Sequence, residues 1–273
     1  MACRIDGLEP YGLAFDRRGG GGTGRCPAQV RGNCHGLRIL NSNKVRAPGV
    51  SVPSARYDSR RGGMKVAIIG SGNVGKALAR SGIRAGHSIK LAASTPESAA
   101  VAAKATGAQP AHSSTEAVQD AELVIIAVPY DKLGEVFRGL GSAVDGKVVI
   151  DTTNHVNMQD PGAYLGEPSN AEEIQKRHPK VRVVKAFNYS FATRMADPAV
   201  AGTRLDGFVA GDDQGAKDKA LEFVESIGYR PIDAGPLVMA RALEGMAALI
   251  ISLQVRHKWP WQNGWKLVGP PAD

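Results

Sequence analysis

"MKVAIIGSGNVGKALAR", residues 64–80, decides the fold of this 273-residue chain. Its opening, "KVAIIG" (65–70), is a continuous apolar and β-branched run, as in a strand buried on both faces. The glycine turn Gly70-Ser71-Gly72-Asn73-Val74-Gly75 reads G-x-G-x-x-G, and a helical pattern follows at once. Strand, glycine turn and helix in that order are the fingerprint of a dinucleotide site. Gly70 permits the tight turn, and Gly72 lets the backbone approach a pyrophosphate. Gly75 lets the helix pack on the strand, with its first amides facing the phosphates.

Outward from that stretch, short strand-like runs recur at "SIKLAA" (88–93), "LVIIAVP" (123–129), "KVVID" (147–151), "VRVVKAF" (181–187) and "GFVAG" (207–211). Helical patterns lie between them, near 73–86, 97–107, 131–142, 169–178 and 213–227. This alternation predicts an α/β fold, a Rossmann-type doubly wound parallel sheet with helices on both faces. Residues 64–186 are expected to form the dinucleotide-binding domain. Residues 187–273 are expected to form a small, mainly helical C-terminal domain for substrate binding and dimerisation. Within it, 237–256 is apolar on most of its circumference, which predicts a helix buried under the sheet or across a homodimer interface. The longest apolar segment, "LEGMAALIISLQV", is too short to span a bilayer and contains Glu244, so no membrane contact is expected.

The net charge of +8 is unevenly placed. Residues 1–63 hold 11 Lys and Arg against 4 Asp and Glu, whereas the remainder holds 23 against 22. The basic character belongs to the leader, and the folded part gives no case for nucleic acid. All three cysteines (Cys3, Cys26, Cys34) also fall in the leader, so the folded part offers no disulfide, thiolate metal site or Cys nucleophile. The leader reads as a disordered basic tail, as an organelle transit peptide, or as sequence upstream of a natural start at Met64. A cytoplasmic location is the expectation.

At the second strand end, "KLAASTPES" (90–98), the Asp or Glu that usually holds the ribose hydroxyls of NAD is missing. Ser94 and Thr95 stand there instead. A carboxylate would repel the 2′-phosphate of NADP and hydroxyls would accept it. Thr95-Pro96 also reads as an N-cap and first turn whose amides favour a phosphate. NADP(H) is therefore expected over NAD, with Glu97 as an opposing charge nearby. "AVPY" (127–130) and "DTTNHVN" (151–157), at later strand ends, are expected to meet the nicotinamide half or to be ordinary loop exits.

Taken in order, "MKVAIIGSGNVGKALA", "VIIAVP", "VVIDTTN", "VVKAFN", "FVAGDD" and "IDAGPL" resemble the family of coenzyme F-420-dependent NADP oxidoreductases. They are also similar to the NADPH-binding domain of the STEAP ferric reductases. The resemblance runs from Met64 to about Leu267. It implies NADP(H) on the phosphate loop Gly70 to Gly75, with Ser94 and Thr95 at the 2′-phosphate. It further implies Ala127, Val128, Pro129 and Asn154 along the nicotinamide, and Lys185, Ala186, Phe187 and Asn188 in the crevice between domains. Members exchange hydride with a deazaflavin by stacking two rings, with no side chain acting as acid or base. This chain departs from many relatives at Thr95, where they have Arg, and in its ending "WPWQNGWKLVGP".

Hydride transfer needs proximity and orientation more than proton donors, so a sparse site is compatible with an enzyme. The expected partner is a small planar redox acceptor: a deazaflavin, a flavin or a quinone. An imine or carbonyl reductase of the pyrroline-carboxylate reductase type is the second enzyme reading, and a non-catalytic NADP(H) sensor or scaffold is the reading from another class. His155, Tyr130 and Lys185 are the only candidate acids, each more readily a loop residue; no catalytic residue and no metal ligand is assigned. Trp259, Trp261 and Trp265 form either an aromatic platform for the acceptor or a pin for the C-terminal segment.

Overall fold

The computed structural model describes residues 62–269 apart from Met158 and Tyr164. The leader therefore lies outside the described residues.

The chain runs β1 (Lys65–Ile69), α1 (Asn73–Arg84), β2 (Ser88–Ala92), α2 (Pro96–Thr106), β3 (Gln109–Pro110), α3 (Ser114–Val118), β4 (Leu123–Ile126), α4 (Leu133–Leu140), β5 (Val148–Asp151), α5 (Asn170–Arg177) and β6 (Arg182–Ala186). It continues with α6 (Ala192–Ala196), the two-residue strands β7 (Ala199–Val200) and β8 (Thr203–Arg204), β9 (Asp206–Gly211), α7 (Gln214–Ser226), β10 (Arg230–Gly235) and α8 (Ala240–His257). Local chemistry sets several of these bounds. Ser169 and Glu172 close a capping box at the start of α5, and Gly107 ends α2 in the left-handed conformation.

Eight strands form one sheet in the order β10-β9-β6-β5-β4-β1-β2-β3. Both faces are covered, as expected of a doubly wound fold. Leu78 of α1, Ala99 of α2 and Phe223 of α7 pack on one side, with Ile68 and Ile125 of the strands. Phe137 of α4 and Ile174 of α5 pack on the other, with Ile69 and Val124. A third cluster joins Leu243 and Ala247 of α8 to Tyr189 and Phe208.

The sheet is not wholly parallel. β9 pairs antiparallel with β6 (Lys185 opposite Ala210), while β10 returns parallel to β9. The segment between β6 and β9 holds only the five-residue α6 and a two-residue hairpin, not the long crossover that a parallel return uses. β10 itself, "RPIDAG", lacks the apolar run that marks the other strands. The change of pattern placed at residue 187 thus falls inside one sheet, because β9 and β10 add to the same strands as β1–β6.

Helix α8 with the turn before it, Leu237–His257, is long and apolar enough to cross a membrane by length and composition. One face packs through Ala240, Leu243, Ala247 and Ile250, whereas Leu249 and Val255 are exposed. Lys258 then turns the chain in the left-handed conformation, and the tail runs back over the molecule. Asp206, 1% exposed, fixes it: Arg230 donates to both its oxygens at 2.7 Å, Lys266 Nζ at 2.9 Å and the Leu267 N–H at 2.6 Å. Arg230 and the tail bonds more than offset burial and hold this carboxyl below the usual range.

Candidate functional site

The phosphate loop requires its glycines for three different reasons. Gly70 has φ +124°, and a Cβ there would lie 2.1 Å from the Ala127 carbonyl oxygen. A Cβ on Gly75 would lie 1.9 Å from the Gly70 carbonyl oxygen. At Gly72, the N-cap of α1, a Cβ would meet nothing within 4 Å, so the backbone is open to a large anion. The first turn of α1 holds no acidic residue to oppose one. Ser71 is half-buried and Asn73 exposed beside this opening, with Val74 turned inward. This cradle fits a dinucleotide pyrophosphate.

Ser94 and Thr95 are exposed at the end of β2. Thr95 caps α2, its Oγ1 accepting from the Ser98 N–H at 3.2 Å. The same hydroxyl and the Glu97 backbone N–H hold the exposed Glu97 carboxyl below the usual range. A hydroxyl and an ionised carboxylate therefore share the mouth where a 2′-phosphate would sit. Ala127, Val128 and Pro129 leave β4 directly beside Gly70, with Pro129 exposed.

A cavity of about 210 Å³ opens between the loop and α8. Val74, Thr152, Asn154, Asn188, Phe191 and Trp261 are among the residues that border it. Thr152 is fixed by its own hydroxyl, which donates to the Ile126 carbonyl at 2.9 Å. Asn154 donates to the Asn188 carbonyl at 2.7 Å, and Asn188 Nδ2 donates to Asn154 Oδ1 and to the Leu243 carbonyl, both at 2.9 Å. Those bonds fix the Asn188 amide and leave its Oδ1 with no protein donor. A buried acceptor without a donor is costly, which makes it a place for a ligand N–H.

Three of the expected crevice residues, Lys185, Ala186 and Phe187, are fully buried. Lys185 is 0% exposed: its Nζ donates to Asp151 at 2.8 Å, to Glu244 at 2.5 Å and to the Thr153 carbonyl at 2.6 Å. Burial alone would lower the Lys185 pKa, and the two carboxylates more than offset it. Lys185 is a strut between β5, β6 and α8, not a group that meets a ligand. Phe187 touches the cavity, but its ring is fully buried against the edges of Phe223 and Tyr229, at 6.0–6.1 Å between centroids. Its contribution is the backbone: at φ +65° it bends the chain out of β6 and aims Asn188. Ala186, which precedes it, is buried in the core. Of the other candidate acids, Tyr130 stacks on His155 with ring centroids 4.1 Å apart, and neither borders the cavity.

The tryptophans divide between the two roles. Trp265 packs into the cluster of Tyr189 and Phe208, pinning the tail. Trp261 borders the cavity and meets Phe191 edge-on at 5.1 Å, and its carbonyl accepts from Thr193 Oγ1 at 2.6 Å. Trp259 stacks on His257 at 4.7 Å, away from the cavity. Phe191, Met195 and Ile251 also border it and carry no sequence motif; only the fold brings them there.

The family model described as NADP oxidoreductase, coenzyme F420-dependent, matches residues 65–155. The F420-dependent NADP reductase of Methanothermobacter marburgensis is 30% identical over 216 residues, covering 71% of this chain and 94% of that protein. Metalloreductase STEAP3 of Rattus norvegicus is 29% identical over 189 residues; these are 67% of this chain but 36% of that protein, so the chain matches only about a third of it. Among solved structures, an Arthrobacter sp. FB24 protein given the name of an F420-dependent NADP-reductase superposes with a TM-score of 0.65 at 24% identity. The match covers 76% of this chain and all of that one, a likeness of fold.

Proposed function

This chain belongs to the family of coenzyme F420-dependent NADP oxidoreductases, and from that membership we propose that it passes hydride between NADP(H) and a planar redox acceptor, whether deazaflavin, flavin or quinone. The observation that carries this reading is the continuity of the site. Val74, inside the phosphate loop, is also a wall of the cavity that ends at Phe191 and Trp261. A dinucleotide laid on Gly70 to Gly75 therefore has its far end at an aromatic wall.

When bound, the nicotinamide supplies two electrons and a proton as hydride. The protein's own residues bind and orient. The open backbone at Gly72 and the start of α1 take the pyrophosphate, and Ser94 with Thr95 stands at the 2′-phosphate. Asn188 Oδ1, its position fixed by Asn154 and the Leu243 carbonyl, would accept from the carboxamide. Met195 and Ile250 narrow the cavity and keep water from the rings. The acceptor's second proton comes from solvent. The Tyr229 hydroxyl, which bonds to Ser190 at 2.8 Å, is pushed up by burial and holds its proton.

The reading also takes the protein as a cytoplasmic homodimer, with the exposed apolar side of α8 against a second copy. Stopped-flow oxidation of NADPH with deazaflavin, FMN and menadione tests it. Turnover of one acceptor, with NADPH preferred to NADH, is expected. NADPH binding without turnover of any acceptor would favour a sensor instead.

A further inference from the structure

We infer that the C-terminal tail makes this cavity selective for a small uncharged quinone, with Trp261 as the specificity-determining residue. The inference rests on the hydride-transfer reading above and names the acceptor that it leaves open.

Three observations carry it. First, no Lys, Arg, His, Asp or Glu borders the cavity among the described residues; its polar groups are amides and hydroxyls. An anionic or cationic group drawn inside would lose water without gaining a counter-charge. Second, its volume of about 210 Å³ lies below the roughly 300–1,000 Å³ usual for sites that take a whole drug-sized ligand. With the nicotinamide drawing on the same space, what is left suits one or two fused rings better than a tricyclic ring carrying a phosphate-bearing chain. Third, one half of the aromatic wall, Trp261, belongs to the tail. Trp261, still 44% exposed, is positioned by an edge-on contact with Phe191, by Thr193 on its carbonyl, and further on by the bonds of Lys266 and Leu267 to Asp206. A half-exposed indole held at the mouth of an uncharged cavity offers a flat face to a flat ring.

The test uses the full chain loaded with NADP⁺ and two probes of one ring type. These are menadione, which is neutral, and 1,4-naphthoquinone-2-sulfonate, which is anionic. Binding is measured by calorimetry, and NADPH oxidation is followed separately. Menadione is expected to bind at least about tenfold more tightly than the sulfonate. Trp261→Ala is expected to weaken menadione by about tenfold and to narrow the gap between the probes, while Trp261→Phe retains most of the affinity. Trp259→Phe, away from the cavity, should leave the affinity for both probes and for NADP⁺ unchanged.

Equal affinity for both probes, no binding of menadione, or indifference of menadione to Trp261→Ala would overturn the inference, and turnover with another acceptor would leave the reductase reading standing. Menadione bound as expected but reduced by no variant, with no other acceptor turned over, would sink the reductase reading and keep the binding site.

Discussion

Asn154 and Asn188 hold one another across the crevice through two hydrogen bonds, one to a side chain and one to a backbone carbonyl. The pair joins the exit of β5 to the exit of β6. It spends both donors of Asn188 on the protein and leaves the remaining oxygen buried with no protein donor.

Asn188→Ala should therefore lower kcat/KM for NADPH by about tenfold, the worth of one well-placed hydrogen bond. Asn188→Asp keeps the acceptor but loses the donors that fix it, and should be at least as poor. Stopped-flow rates with each variant check this. Unchanged rates in both would show that the amide does not touch the nicotinamide.

Glu97 stands ionised beside Ser94 and Thr95, at the mouth proposed to take the 2′-phosphate. Glu97→Gln removes a like charge without altering the cap, so KM for NADPH should fall severalfold and KM for NADH should stay. The gain should shrink as salt is added, because both charges are exposed. A gain of equal size for NADH would place Glu97 away from the 2′ position.

Removing Lys185 would leave two buried carboxylates facing each other. Lys185→Met should cost about 3–5 kcal/mol, read from the urea midpoint. Glu244→Gln should cost about 1 kcal/mol or less, since its amide oxygen can still accept from Lys185 and from the Asn170 N–H, now 2.9 Å away. Similar losses in both would argue against the triad as a strut.

His87 is buried at the base of β2, where Nδ1 accepts from the Met64 N–H at 3.0 Å and Nε2 meets Ser226 Oγ at 2.7 Å. Burial holds its pKa below the ordinary value, against the opposing pull of Glu122. The unfolded chain then binds the proton first. Stability should fall as pH drops below about 6.5, the value expected for the unfolded imidazole. His87→Gln should flatten that limb of the stability–pH curve.

The phosphate loop was legible because its requirements are local: two glycines avoid nearby backbone and a third leaves an opening. The Thr95 cap and the buried strands were legible for the same reason. Lys185 was misplaced because its burial depends on Glu244, 59 residues later, and no local pattern announces that pairing. Phe187 borders the cavity, yet its left-handed backbone packs the ring into the core, which its place after a strand does not reveal. The tryptophans share one short segment, and only the path of the tail separates the one that anchors from the one that faces the cavity. β10 went unseen because proline and glycine interrupt it.

The reversal of β9 determines which rim of the sheet receives the end of the chain. β9 begins beside the end of β6, and β10 runs with it, so both finish at the rim away from the ligand. The following helix has 18 residues, about 27 Å of rise, and climbs back across the sheet. It delivers Trp261 to the rim where the phosphate loop and Asn188 already stand. Had β9 run parallel, the same helix would end on the opposite rim and the cavity would lack Trp261. The polarity of one six-residue strand thus decides whether the tail can reach the cavity at all, although none of its side chains borders it.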